Sequence, residues 1–109
     1  MEGVARRLAL GAAEYGLAFQ SRLGGGWLEP FTDRELTALP ARGITRLAVI
    51  CPSFVADCLE TLEEMDMRGR EAFLAAGGRS FAYVPCLNDD AAWIDALAAL
   101  CLEPARTPA

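Results

Sequence analysis

Residues 46–51, RLAVIC, form a near-continuous apolar run of strand length that ends on Pro52, and this run limits the possible folds more than any other feature. A strand with no polar side to give to water predicts a place in a parallel sheet, covered on both faces. Its surroundings agree. Pro52 and Ser53 break the run, residues 54–76 carry a helical pattern, and Gly77 and Gly78 close it. Residues 81–85, FAYVP, read as a further strand. Strand, helix and strand in that order predict a right-handed crossover.

The flanking segments extend the alternation. Residues 4–10 form a short amphipathic stretch stopped by Gly11, and residues 15–21 read as a strand entering a turn at Gly24, Gly25 and Gly26. Thr32 or Asp33 caps a helix through Ala41, with Glu35 as the capping-box acid if Thr32 is the cap, and Gly43 ends it. Asp89 or Asp90 caps a last helix through about residue 102. The predicted class is α/β: a three-layer α/β/α fold with a parallel sheet of three strands, as one domain over residues 1–103. Residues 104–109, rich in proline and small side chains, are expected to be a disordered tail. Because the first helix has no strand before it, the chain is expected to begin partway through a larger domain.

Charge and residue usage exclude whole classes of function. Ten Lys and Arg against fifteen Asp and Glu give a net charge of −5, and the arginines are scattered, so no basic stripe exists for nucleic acid. No apolar run approaches the ~20 residues of a membrane span, and the N-terminus lacks a signal-peptide pattern. The expectation is a cytoplasmic protein with at most peripheral membrane contact. Cys51, Cys58, Cys86 and Cys101 include no CxxC pair, so buried free thiols are expected and no iron-sulfur cluster. The chain contains no histidine, which rules out self-contained histidine-dependent catalysis.

In open α/β sheets, ligands bind beyond the carboxyl ends of the strands, here residues 22–27, 51–57 and 85–90. At about 100° per residue, Asp57, Glu60 and Glu64 share a stripe roughly 60° wide, opposite Val55, Leu59 and Leu62. Like charges at these spacings repel mildly. Partly desolvated in a cleft, such carboxylates can accept protons or pass on a cation such as Fe²⁺; in the open, they are a solvated helix face. Glycines 24 to 26 can let a ligand approach the backbone closely or simply form a flexible turn; no Lys-Ser/Thr follows, so this is not a phosphate loop. Trp27 beside it can stack on a flat aromatic ligand or pack within its own domain. Arg22 can pair a ligand carboxylate or lie along the surface.

Several stretches resemble the ferrochelatases in unbroken order: FQSR at 19–22, WLEPFTD at 27–33, CPSFVADCLETLEE at 51–64, REAFLAAGG at 70–78 and FAYVPCLN at 81–88. The resemblance covers nearly the whole chain and corresponds to about the last third of that enzyme. It implies a chelatase-like fold, in which two similar α/β halves enclose a porphyrin cleft, and insertion of ferrous iron, as substrate, in haem biosynthesis. It implies Glu60 as the glutamate facing the porphyrin centre, Glu64 next in an acidic line for metal or protons, and Asp57 at its border. Trp27, Arg22 and Ser53 are the residues implied on the porphyrin side, Ser53 standing where many members have glycine. In the family, this helix can carry an extra residue per turn, which aligns Glu60 and Glu64. The segment bearing the family's catalytic histidine has no counterpart here, so the chain is expected to need the missing N-terminal portion for activity. The rival reading is a non-catalytic tetrapyrrole-binding or interaction module of the same fold.

Overall fold

In the computed structural model, residues 2–20 and 26–103 are described. Helix α1 spans Glu2–Arg7, α2 Thr32–Ala38, and a 3₁₀ turn follows at Pro40–Arg42. Strand β1 is Arg46–Val49. A π-helix over Glu60–Gly69 runs directly into α3, Arg70–Ala75; strand β2 is Ser80–Tyr83 and α4 is Ala91–Leu102. The parallel crossover expected of the central segment is present: β1 pairs with β2 in the register Leu47 opposite Phe81 and Val49 opposite Tyr83.

That register decides where the core lies. Successive side chains point to opposite faces of a sheet, so Leu47, Val49, Phe81 and Tyr83 turn together toward α2, the π-helix and α3. There they meet a buried cluster of Leu36, Met65 and Phe73, with Phe81 itself part of it. The Phe73 and Phe81 rings pack 5.9 Å apart at 54°, a tilted aromatic pairing. Gly69, buried at the end of the π-helix, lets it approach α2: a Cβ there would sit 3.0 Å from the Leu36 side chain. The Arg70 guanidinium lies 5.1 Å over the Phe81 ring and pairs with Asp66, which staples the head of α3 to β2.

Three expectations are corrected. Among the described residues the sheet has two strands, not three. Phe19 makes only an isolated parallel bridge to Phe31, because the N–H of Phe19 bonds Pro30 and its carbonyl takes the N–H of Thr32, away from β1. The sheet is also covered on one face alone: Arg46, Ala48, Ser80 and Ala82 are exposed. Third, the central helix does not begin at residue 54, since residues 51–58 form turns and the π-helix starts at Glu60. The three-layer arrangement is therefore not established. What the described residues form is an α/β unit with a small parallel sheet, its helix α2 stopping at Ala38. Helix α4 buries none of its residues, and Ile94, Leu97 and Leu100 are exposed. The radius of gyration, 16.6 Å, exceeds the roughly 13 Å of a compact globule this long. No helix of the described residues is long and apolar enough to cross a membrane. The residues of the expected tail, 104–109, lie outside the described residues.

Candidate functional site

Two loops leave the carboxyl ends of β1 and β2 side by side, and Asp57 ties them together. Its Oδ1 accepts from the Tyr83 hydroxyl at 2.6 Å and from Thr61 Oγ1 at 3.0 Å. Its Oδ2 accepts from Asn88 Nδ2 at 2.8 Å and from the N–H of Cys86 at 3.3 Å. The Asp57 N–H in turn donates to Asn88 Oδ1 at 2.8 Å, and the Asn88 N–H to the Val55 carbonyl. Asn88 takes a left-handed backbone at φ 49°, a conformation asparagine tolerates well. The Tyr83 and Asn88 donors hold the Asp57 carboxyl far below the usual aspartate range. Burial and the bond to Asp57 push the Tyr83 phenol upward.

Linkage gives this knot a pH signature. A carboxyl depressed in the folded state contributes stability above its unfolded value, near the ordinary 3.8, and the contribution is lost as pH falls through the folded value. Asp57→Asn should therefore flatten the dependence of the urea midpoint on pH below about pH 5, where the parent chain loses stability on acidification. Urea titrations by circular dichroism at several acidic pH values check this; equal slopes for both proteins would remove Asp57 as the cause.

The glutamates lie on the π-helix that follows. Glu60 is exposed, and its Oε2 accepts from the Cys58 thiol at 3.0 Å. That bond, with the residue's own backbone N–H, holds the Glu60 carboxyl below the usual glutamate range. Gln20 spans one turn of the helix, its Nε2 donating to the Glu60 carbonyl at 3.1 Å and to Glu64 Oε2 at 2.7 Å. Arg68 pairs with Glu63 at 2.5 Å, a spacing of five residues that fits the wide turn. Glu64 borders a cleft of about 320 Å³, lined also by Gln20, Asp33, Leu36 and Arg68. Such a volume is at the small end of ligand clefts, ~300–1,000 Å³.

The expected site residues are thus partly gathered. Glu60 and Glu64 lie one turn apart on the π-helix, where Gln20 bonds the Glu64 carboxylate and the backbone carbonyl of Glu60, and the wide helix implied by the resemblance spans ten residues. Asp57 is not on that helix, and its carboxylate is taken up by four donors. Among the described residues no three His, Cys, Asp or Glu side chains converge on a common point for a metal ion. Ser53 is exposed in the turn after β1, well before the helix starts. Trp27 is 43% exposed, and neither it nor Glu60 lines the cleft. Arg22, Gly24 and Gly25 lie outside the described residues. The thiols are free; Cys51, Cys58 and Cys86 are half-buried, and Cys101 is exposed, contrary to the expected burial. Burial raises the Cys51 and Cys86 thiols.

Sequence reasoning gave no role to Gln20, Cys58, Thr61, Tyr83 or Asn88. All five sit inside the quoted motifs FQSR, CPSFVADCLETLEE and FAYVPCLN, which was the one available signal.

Comparison with known proteins agrees along nearly the whole chain. The ferrochelatase family model matches residues 1–105. A ferrochelatase of Azotobacter vinelandii is 56% identical over 104 residues, covering 94% of this chain and 31% of the relative. One from Pseudomonas aeruginosa is 54% identical over 98 residues, covering 89% and 29%, and one from Pseudomonas fluorescens is 52% identical over the same coverage. The chain therefore spans about three tenths of the length of these relatives.

Proposed function

The chain belongs to the ferrochelatase family, and from that premise we propose that it supplies the glutamate-bearing side of a site where ferrous iron enters a porphyrin, in haem biosynthesis. Insertion releases two pyrrole protons for each Fe²⁺ bound, so the site needs an anion that attracts the cation and can take a proton. Glu60 is the candidate: it is an exposed carboxylate at the head of the π-helix, and the Cys58 thiol bond that lowers it below the usual glutamate range favours attracting the cation and must break before a proton is taken. Glu64, one turn further and bordering the cleft, receives protons or metal in turn. Asp57 acts from behind the acidic line, since its oxygens are already occupied. Trp27 stacks on the macrocycle, Arg22 pairs with a porphyrin carboxylate, and Ser53 borders the same edge.

The observation that supports this reading most is the ten-residue π-helix, which carries Glu60 exposed at its head and Glu64 at the cleft one turn on. Runs of π-helix are rare and frequently occur at functional sites. The exposed sheet face and the uncovered apolar residues of α4 are surfaces that a partner portion would cover, and contiguous apolar exposure of this kind marks an interface. The N-terminal part of a ferrochelatase is the partner proposed, bringing the basic group that a chain without histidine lacks.

The test is direct. The 109 residues joined to the N-terminal portion of a related ferrochelatase, mixed without oxygen with Fe²⁺ and a dicarboxylic porphyrin, should shift the Soret band to that of the metalloporphyrin. The 109 residues alone should leave it unshifted. Metallation by those residues alone would overturn the need for a partner portion, and an unshifted band with the joined protein would overturn the reading itself.

A further inference from the structure

We propose that Tyr83 is a positioning residue for Glu60, acting through Asp57 and Thr61; the proposal rests on the reading of Glu60 given above. At the head of the π-helix, Leu59 already has helical dihedrals and the Cys58 carbonyl accepts from the Leu62 N–H, so the helix starts at Cys58. A helix start leaves backbone N–H groups to be satisfied by side chains.

What fixes it comes from across the fold. The Cys58 N–H donates to Thr61 Oγ1 at 2.9 Å, and the single proton of the fully buried Thr61 hydroxyl is shared between Asp57 Oδ1 at 3.0 Å and the Cys58 carbonyl at 3.1 Å. Cys58 and Thr61 bracket Glu60, and the Cys58 thiol holds its carboxylate. The chain of bonds ends on Asp57, which Tyr83, Asn88 and the Cys86 N–H hold from the other side. Cys86 and Asn88 sit on the loop after β2. Tyr83 is the last residue of β2, with its ring packed against the core and its hydroxyl 2.6 Å from Asp57. It is the member of the knot that carries the position of the sheet to the catalytic helix, 26 residues away in sequence. Misplacing a reacting group by about 1 Å from a distance can cost up to ~10²-fold in rate.

Tyr83→Phe keeps the ring and removes one hydroxyl. In the chain joined to the N-terminal portion of a related ferrochelatase, iron insertion should lose about tenfold in kcat, with KM for iron and porphyrin unchanged and the melting temperature moved by no more than a few degrees. Hydrogen exchange should quicken at the Asp57 and Cys58 amides and stay unchanged in α2 and α3. Combined with Asp57→Asn, it should add no further loss in kcat, because both act through one network. Parent kcat in Tyr83→Phe, additive losses in the double variant, or faster exchange throughout the chain would each overturn the proposal. Failure of the functional reading looks different: Glu60→Gln would then turn over normally, whereas the local exchange change in Tyr83→Phe would persist.

Discussion

Glu60→Gln should lower iron insertion by about 10²-fold or more, the usual cost of losing a general base. The substitution keeps the shape of the side chain and removes its charge and its capacity to take a proton. Little else should move. The bond from Gln20 reaches the backbone carbonyl of residue 60, and the amide oxygen of glutamine can still accept from the Cys58 thiol. Loss of kcat with an unchanged urea midpoint would therefore report chemistry and not folding. Glu64→Gln gives the comparison, since Glu64 borders the cleft one turn on and should cost less if it relays and does not receive the first proton. Initial rates followed at the Soret band decide it. Turnover of Glu60→Gln within twofold of the parent would take Glu60 out of the mechanism.

The two strands that form the sheet were legible because aliphatic and aromatic residues at 46–49 and 80–83 have few other uses in a short run. Residues 15–21 carry a similar local pattern, yet among the described residues, which exclude Ser21, Phe19 bonds only to the segment around Phe31. Strand pairing is decided by the partner, and nothing near Phe19 in sequence names it. The same limit explains the one-sided sheet. An apolar run shows that cover is wanted, but not which chain provides it. The late start of the central helix has a local cause, since Asp57 uses its carboxylate to organise the turns before Glu60, and such side chains compete with helical hydrogen bonding. At 100° per residue, Asp57 joined Glu60 and Glu64 on one stripe; the structure separates it from them, because the helix begins after it. The wide turn itself came from the family resemblance and not from periodicity. The Tyr83 and Asn88 partners of Asp57 lie 26 and 31 residues away, beyond the reach of any helical or strand period.

Phe73→Ala should destabilise the fold by about 3–5 kcal/mol, the range for removing a buried aromatic ring. Its side chain is fully buried and packs on Phe81 in a cluster that otherwise contains only Leu36 and Met65 as buried members. A small domain has about 5–15 kcal/mol in all, so this one ring accounts for a large part of the margin, and urea unfolding should show a much lower midpoint. Closing of the hole is resisted on one side by Gly78, whose backbone lies so near that a Cβ there would stand 2.2 Å from the Phe73 ring and 2.7 Å from its carbonyl oxygen. Gly78→Ala should therefore be severe as well, through overpacking where Phe73→Ala acts through a cavity. The pair separates two causes of loss at one place. Phe73→Leu, which keeps much of the volume, should recover most of the stability lost in Phe73→Ala, but it should not rescue Gly78→Ala fully, because the contact with the Phe73 carbonyl is backbone. Met65 joins this cluster from the middle of the π-helix, so the helix bearing Glu60 is seated on the same few side chains. An unchanged midpoint for Phe73→Ala would mean that the π-helix is held by something other than this core.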